Sequence, residues 1–171
     1  MLQQAVQLSV AGRNAEAVLI VTQMAAQNHP QAMAMLAEMK WRGGLVPQDP
    51  PAARELYRRA AALGHKQSGE ITTNLMANGV AGAREWQGAL ARLRAEARGD
   101  ARRKLALALV EKMALTDEGD PARLPPAETL SERPDIRRIE RLLTAAECDY
   151  LRQLAEPEYM PSVVNDAAGR A

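Results

Sequence analysis

The chain has 171 residues, enough for one or two domains, and 47% of them are apolar. Phe is absent and aromatic residues make up only 3%, so the apolar content is mostly Ala, Leu, Met and Val, which favours a mainly α fold over a sheet-built one. A net charge of +1 selects no class of partner, and the single cysteine, Cys148, excludes an internal disulfide and a thiolate metal site.

The charge is unevenly spread. Residues 1–115 carry 15 Lys and Arg against 9 Asp and Glu, and residues 116–171 carry 7 against 12. Nets of +6 and −5 suggest a boundary near residue 116. The opening MLQQAVQLSV has no basic region leading into an apolar run, so it does not read as a signal peptide. No stretch approaches the ~20 apolar residues that cross a bilayer. The expectation is a cytoplasmic protein with no membrane partner.

In chain order, four segments carry one apolar stripe each at helical spacing. Ala17, Ile20, Val21, Met24 and Ala25 form the first, and Ala32, Met35, Leu36 and Met39 the second. Ala53, Leu56, Tyr57, Ala60 and Ala61 form the third, and Trp86, Ala89, Leu90, Leu93 and Ala97 the fourth. Between the second and third, Gly43-Gly44 ends a helix, Asp49 is placed to cap the next, and Pro50 suits its first position. Gly64 closes that helix, as Asn28 does one unit earlier. The stretch 67–78, with Gly69 and two threonines, is the poorest helix of the series.

These segments repeat. AAQNHPQA at 25–32, AALGHKQS at 61–68 and AEARGDAR at 95–102 share a pattern, and His29 and His65 lie 36 residues apart. Such a period predicts an α-α solenoid of paired antiparallel helices over 1–115, with roughly two and a half pairs. Its uncovered ends offer a route to a homodimer. The run from Met33 to His65 then resembles one Sel1-like repeat nearly end to end, through Leu36, Gly43, Gly44, Val46, Asp49, Ala53, Tyr57, Ala60, Ala61, Gly64 and His65. The match is degenerate over 67–99. Such repeats resemble tetratricopeptide arrays, and the resemblance implies a scaffold that binds a protein or peptide.

Residues 116–134 hold Pro121, Pro125, Pro126 and Pro134, through which no helix passes. They read as a linker, or as a stretch packed across the repeats. Beyond them, Ile136, Ile139, Leu142 and Leu143 suggest a strand. Thr144 with Glu147 forms a capping box for a helix ending at Glu156-Pro157, and MPSVVND (160–166) reads as a second strand.

That order, with Ile136, Leu143, Thr144, Glu147, Cys148, Asp149, Leu151, Ala155, Pro161, Ser162, Val164, Asp166 and Gly169, resembles the opening of prolyl 4-hydroxylase-type iron(II)/2-oxoglutarate dioxygenases. Residues 135–171 are therefore expected to be the start of such a domain. The family's iron ligands and co-substrate contacts lie downstream of the matched region, so no catalytic, cofactor or metal residue transfers to this chain. Iron(II) and 2-oxoglutarate are expected only of a downstream domain.

Single residues also have ordinary structural readings. His29 and His65 are expected to close helices, near terminal carbonyls. Cys148 is expected to be a small buried apolar residue. Arg92, Arg94, Arg98, Arg102, Arg103 and Lys104 form the densest basic run. Without accompanying aromatics it reads as a solvated face that meets the acidic linker, and not as a nucleic-acid site. Trp41, Tyr57 and Trp86 are the candidate peptide-binding residues, aromatics that would suit a proline-rich segment. The reading is thus the protein-binding repeat region of a prolyl 4-hydroxylase-like dioxygenase, non-catalytic by itself, with a free-standing Sel1-like adaptor as the alternative.

Overall fold

A computed structural model describes residues 1–156 and Tyr159. They fall into two compact units. The first comprises Met1–Leu107 with Leu115–Asp120, and the second Ala108–Ala114 with the described residues from Pro121 on.

The first unit is a series of antiparallel neighbours: α1 (Leu2–Val10), α2 (Asn14–Ala26), α3 (Pro30–Arg42), α4 (Pro50–Ala62), α5 (Lys66–Asn78) and α6 (Trp86–Glu96). Each helix packs on the next in sequence. A further helix, α7 (Ala101–Val110), begins after Asp100. The array therefore holds three pairs and the start of a fourth among the described residues, more than the two and a half expected. The excess comes from α1, which buries Ala5, and from α7, which buries Leu109.

Alanine dominates the interior. Ala5, Ala17, Ala25, Ala32 and Ala60 pack with Val21, Met33 and Leu36 in one cluster, and Ala37, Ala53, Tyr57 and Leu75 form a second. Small side chains let neighbouring backbones approach closely, so the few large ones carry much of the burial energy. Each fully buried Val, Leu or Met is worth about 1.5–3 kcal/mol. Leu56 touches both clusters and joins them. Helix α3 buries Met33 and Ala37 beside the expected Ala32 and Leu36, because it packs on both α2 and α4. At the start of the array Val6 and Val10 remain exposed on α1.

The helix ends follow their residues. Gly43 takes φ 74° after α3, and Asn28 and Gly64 take φ 61° and 87° at the corresponding corners. Asp49 accepts from the Ala52 amide at 3.1 Å and Pro50 opens α4. The segment 67–78, poor by composition, is nonetheless a regular helix. The Thr72 hydroxyl donates back to the Ser68 carbonyl at 2.7 Å, and the Thr73 hydroxyl lies 3.1 Å from the Gly69 carbonyl and within reach of a second acceptor on α6, so both threonines are buried without orphaned polar groups.

The second unit contains a hairpin, β1 (Ala127–Glu132) with β2 (Asp135–Ile139), and α8 (Ala145–Ala155). The strands pair antiparallel from Ala127 opposite Ile139 to Glu132 opposite Asp135, with a bulge at Leu130. The stretch read as a linker thus supplies a strand. Its prolines exclude helix but fall before β1 and in the turn after it, where no ladder amide is needed. The capping box of α8 forms as expected, with the Thr144 hydroxyl accepting from the Glu147 amide at 3.3 Å and Glu147 accepting from the Thr144 amide at 2.6 Å. Cys148, expected to be buried, is exposed, because no described element covers the face it shares with Leu151 and Leu154. The strand expected at 161–165 lies outside the described residues. Among the described residues no helix is long and apolar enough to cross a membrane.

Candidate functional site

The two histidines open helices; they do not close them. His29 is the N-cap of α3, with Nδ1 accepting from the Ala32 amide at 3.4 Å. His65 is the N-cap of α5, with Nδ1 accepting from the Ser68 amide at 3.2 Å. The preceding helix is already ended by the positive-φ residue one place earlier, Asn28 or Gly64, which leaves the imidazole facing free amides. An Nδ1 that accepts from an amide carries no proton, so the ring hydrogen of neutral His65 sits on Nε2 and is donated to Gln31 Oε1 at 2.8 Å. The same ring thereby ties α5 to α3.

Between α3 and α5 lies a groove of about 380 Å³. Met35 and Met39 of α3, Ile71 of α5 and Tyr57 of α4 supply its apolar surface, and Gln31, Glu38, His65, Gln67 and Ser68 its polar surface. Tyr57 is only 4% exposed and donates its hydroxyl to Glu38 Oε2 at 2.7 Å. Burial, and then the Glu38 carboxylate, push the Tyr57 phenol well above its ordinary range. The Arg42 guanidinium also bonds Glu38, so this carboxylate is held both from its own helix and from α4.

The three predicted aromatics are not gathered in one place. Tyr57 lines the groove. Trp41 is half-buried against the second core cluster, and its carbonyl accepts from Gln48 Nε2 at 3.0 Å. Trp86 lies against the segment 115–120 at the start of α6, where Gly119 rests on its ring. Around Trp86, Arg84 donates to the Gly119 carbonyl at 3.0 Å and to Asp120 Oδ1 at 2.7 Å, and Gln87 donates to the Asp117 carbonyl at 2.6 Å.

The basic run is not a uniformly solvated face. Arg103 bonds Glu96 at 2.6 Å with both side chains largely covered. The Thr73 hydroxyl donates to Glu96 Oε1 at 2.6 Å and accepts from Arg92 Nε at 3.2 Å. Arg92 and Arg103 thus hold α5, α6 and α7 together, and the acidic segment is met by Arg84. Met35, Met39, Glu38 and Gln31 were not legible as a site: the methionines look like any core stripe, and only the 36-residue recurrence of histidine marked the place where α3 and α5 are linked.

The comparisons with known proteins agree with this architecture. The sequence model of the Sel1 repeat family matches residues 30–65, which run from the start of α3 to the cap of α5. The crystal structure of a Sel1 repeat protein from Oxalobacter formigenes is similar over 67% of this chain and 46% of its own, at 20% identity and a TM-score of 0.55. A protective antigen of uropathogenic Escherichia coli strains, displaying an SLR fold, is similar over 64% of this chain and 24% of its own, at 25% identity and a TM-score of 0.52. The chain therefore spans less than half the length of either structure. No curated protein matches it in sequence, and nothing in these matches supports a dioxygenase domain. Residues 30–65 are a Sel1 repeat, and the helical array built around them has the fold of Sel1 repeat proteins.

Proposed function

We propose that the helical array is a protein-interaction scaffold that holds an extended, proline-rich segment of its partner in the groove between α3 and α5. The observation that carries this reading is the groove itself, an apolar surface of Met35, Met39, Ile71 and Tyr57 bordered by the side-chain amides of Gln31 and Gln67. A polyproline helix has no internal hydrogen bonds, so its carbonyls are free to accept from such amides while its rings lie on the apolar floor. Methionine suits the floor because its flexible thioether adapts to the ring it meets. The test is titration of the chain with a decaproline-based peptide, followed by amide chemical shifts. Shifts centred on Met35, Met39 and Ile71, abolished by Met35→Glu, are the expected result. Shifts elsewhere, or none, would remove the groove reading.

A second reading rests on β2 followed by the capping-box helix α8, the order that the dioxygenase resemblance implies. On it, the scaffold presents its partner to a catalytic domain whose iron(II) and 2-oxoglutarate would be held by residues beyond the matched region. Calorimetry with both ligands on a product read through the codons after Ala171 tests it. Absence of binding there leaves the adaptor reading in place.

A further inference from the structure

We propose that Arg84, Trp86 and Gln87 form a second recognition site, separate from the α3–α5 groove, for acidic Gly-Asp turns, and that the chain fills it with its own residues 116–120. Three observations lead there. The first is the character of the contacts. Arg84 and Gln87 bond two backbone carbonyls and one carboxylate of a segment 30–36 residues away in sequence, as a receptor bonds a peptide. Gly119 lies so close to Trp86 that a Cβ added there would stand 2.2 Å from ring atom Cδ2. Its φ of +82° also disfavours any other residue.

The second is that the occupant is closed on itself. The Thr116 amide donates to the Asp120 carbonyl at 2.8 Å, and the Gly119 amide to the Thr116 carbonyl at 2.9 Å. The Thr116 hydroxyl accepts from the amides of Glu118 and Asp120 at 3.3 and 3.2 Å. The turn takes its closing bonds from its own residues, so a partner can offer the same turn. The third is the repeat. Gln48 stands 36 residues before Arg84, and the two make the same bond, Gln48 to the Trp41 carbonyl and Arg84 to the Ala77 carbonyl, both at 3.0 Å. Arg84 makes it with Nε alone. Its two terminal nitrogens are surplus to the repeat, and both are spent on the turn.

A tethered occupant has an effective concentration on the order of millimolar, so a free peptide does not displace it from the wild-type chain. The site becomes readable once the turn is released. Gly119→Ala releases it by collision with Trp86, and Thr116→Ala by removing the hydroxyl that closes it; neither replaces any of the three recognising side chains. Each is made in the full chain with Trp41→Phe, so that acrylamide quenching of the remaining tryptophan reports on Trp86. A labelled peptide of sequence LTDEGDP is then added. Expected are greater quenching in both variants, peptide binding to both and not to the parent, and at least about a tenfold loss of that affinity on adding Arg84→Gln. Two results would overturn the proposal: a Trp86 that stays protected in both variants, or one that becomes exposed and binds no peptide. Should Gly119→Ala fail to fold, Thr116→Ala alone decides.

Discussion

The Nδ1 of His65 stands 3.2 Å from the Ser68 amide nitrogen while its Nε2 stands 2.8 Å from Gln31 Oε1, so a single imidazole caps α5 and anchors it to α3. Replacing it separates the two roles. His65→Ala removes both and is expected to cost about 1 kcal/mol. His65→Asn restores a capping oxygen but does not reach Gln31, and its loss should be a few tenths of a kcal/mol. Urea denaturation midpoints of the two variants check this; equal losses would mean that the cap contributes nothing.

Asp100 gives the array a defined response to acid. Its carboxyl is held down from an ordinary 3.8 to about 2, first by the Lys66 ammonium at 2.7 Å and then by the Arg103 amide at 3.1 Å. Because the folded value lies below the unfolded one, the unfolded chain takes up the proton first. The stabilisation is complete above about pH 4 and lost as the pH falls through about 2. Asp100→Asn keeps an oxygen for the α7 amides and loses the charge. Its deficit against the wild type should be present at pH 6 and shrink steadily towards pH 2, as followed by thermal denaturation.

Met33 and Met35 are close in sequence and opposite in consequence. Met33 is fully buried in the first cluster, and Met33→Ala should cost about 2–5 kcal/mol. Met35 borders the groove, and Met35→Ala should cost less stability while weakening any ligand held there. Denaturation curves for the pair, beside the peptide titration, separate the fold from the site.

Glu96 is the hub of the α5–α6–α7 junction, bonded to Arg103 and to the Thr73 hydroxyl. Glu96→Ala takes the carboxylate away from a largely covered guanidinium and from the Thr73 hydroxyl, and about 1–3 kcal/mol should be lost. Glu96→Gln retains an acceptor and should lose less. If the two lose the same amount, charge and not hydrogen bonding holds the junction.

The helical array was legible because its signals are local and repeated. Gly43, Asp49, Pro50 and Gly64 each impose their backbone preference whatever surrounds them, and the apolar stripes of α2, α3, α4 and α6 follow from spacing alone. Other readings were weaker. The segment 67–78, read as the poorest helix of the series, is a regular one because Thr72 and Thr73 reach carbonyls one turn back, which composition does not show. His29 and His65 were placed at the correct corners but at the wrong helix end, because one residue of offset separates a terminal carbonyl from a terminal amide. The exposure of Cys148 depended on what covers α8, which a stripe on one helix cannot state. The candidate site was harder still. Tyr57 was found through its stripe, but Gln31 and His65 meet only because their helices are neighbours, and the seat of Gly119 on Trp86 has no local signal.

The bond that Gln48 and Arg84 share shows how tandem architecture loosens the hold of folding on sequence. Each copy must close the same corner, and either an amide or a guanidinium can do so with one nitrogen. The longer side chain discharges the duty inherited from its sister unit and still has two nitrogens to spend elsewhere. A lone domain that changed such a residue would gamble its own corner on the outcome. In a chain of near-copies, novelty can settle in one unit while another keeps the older solution intact.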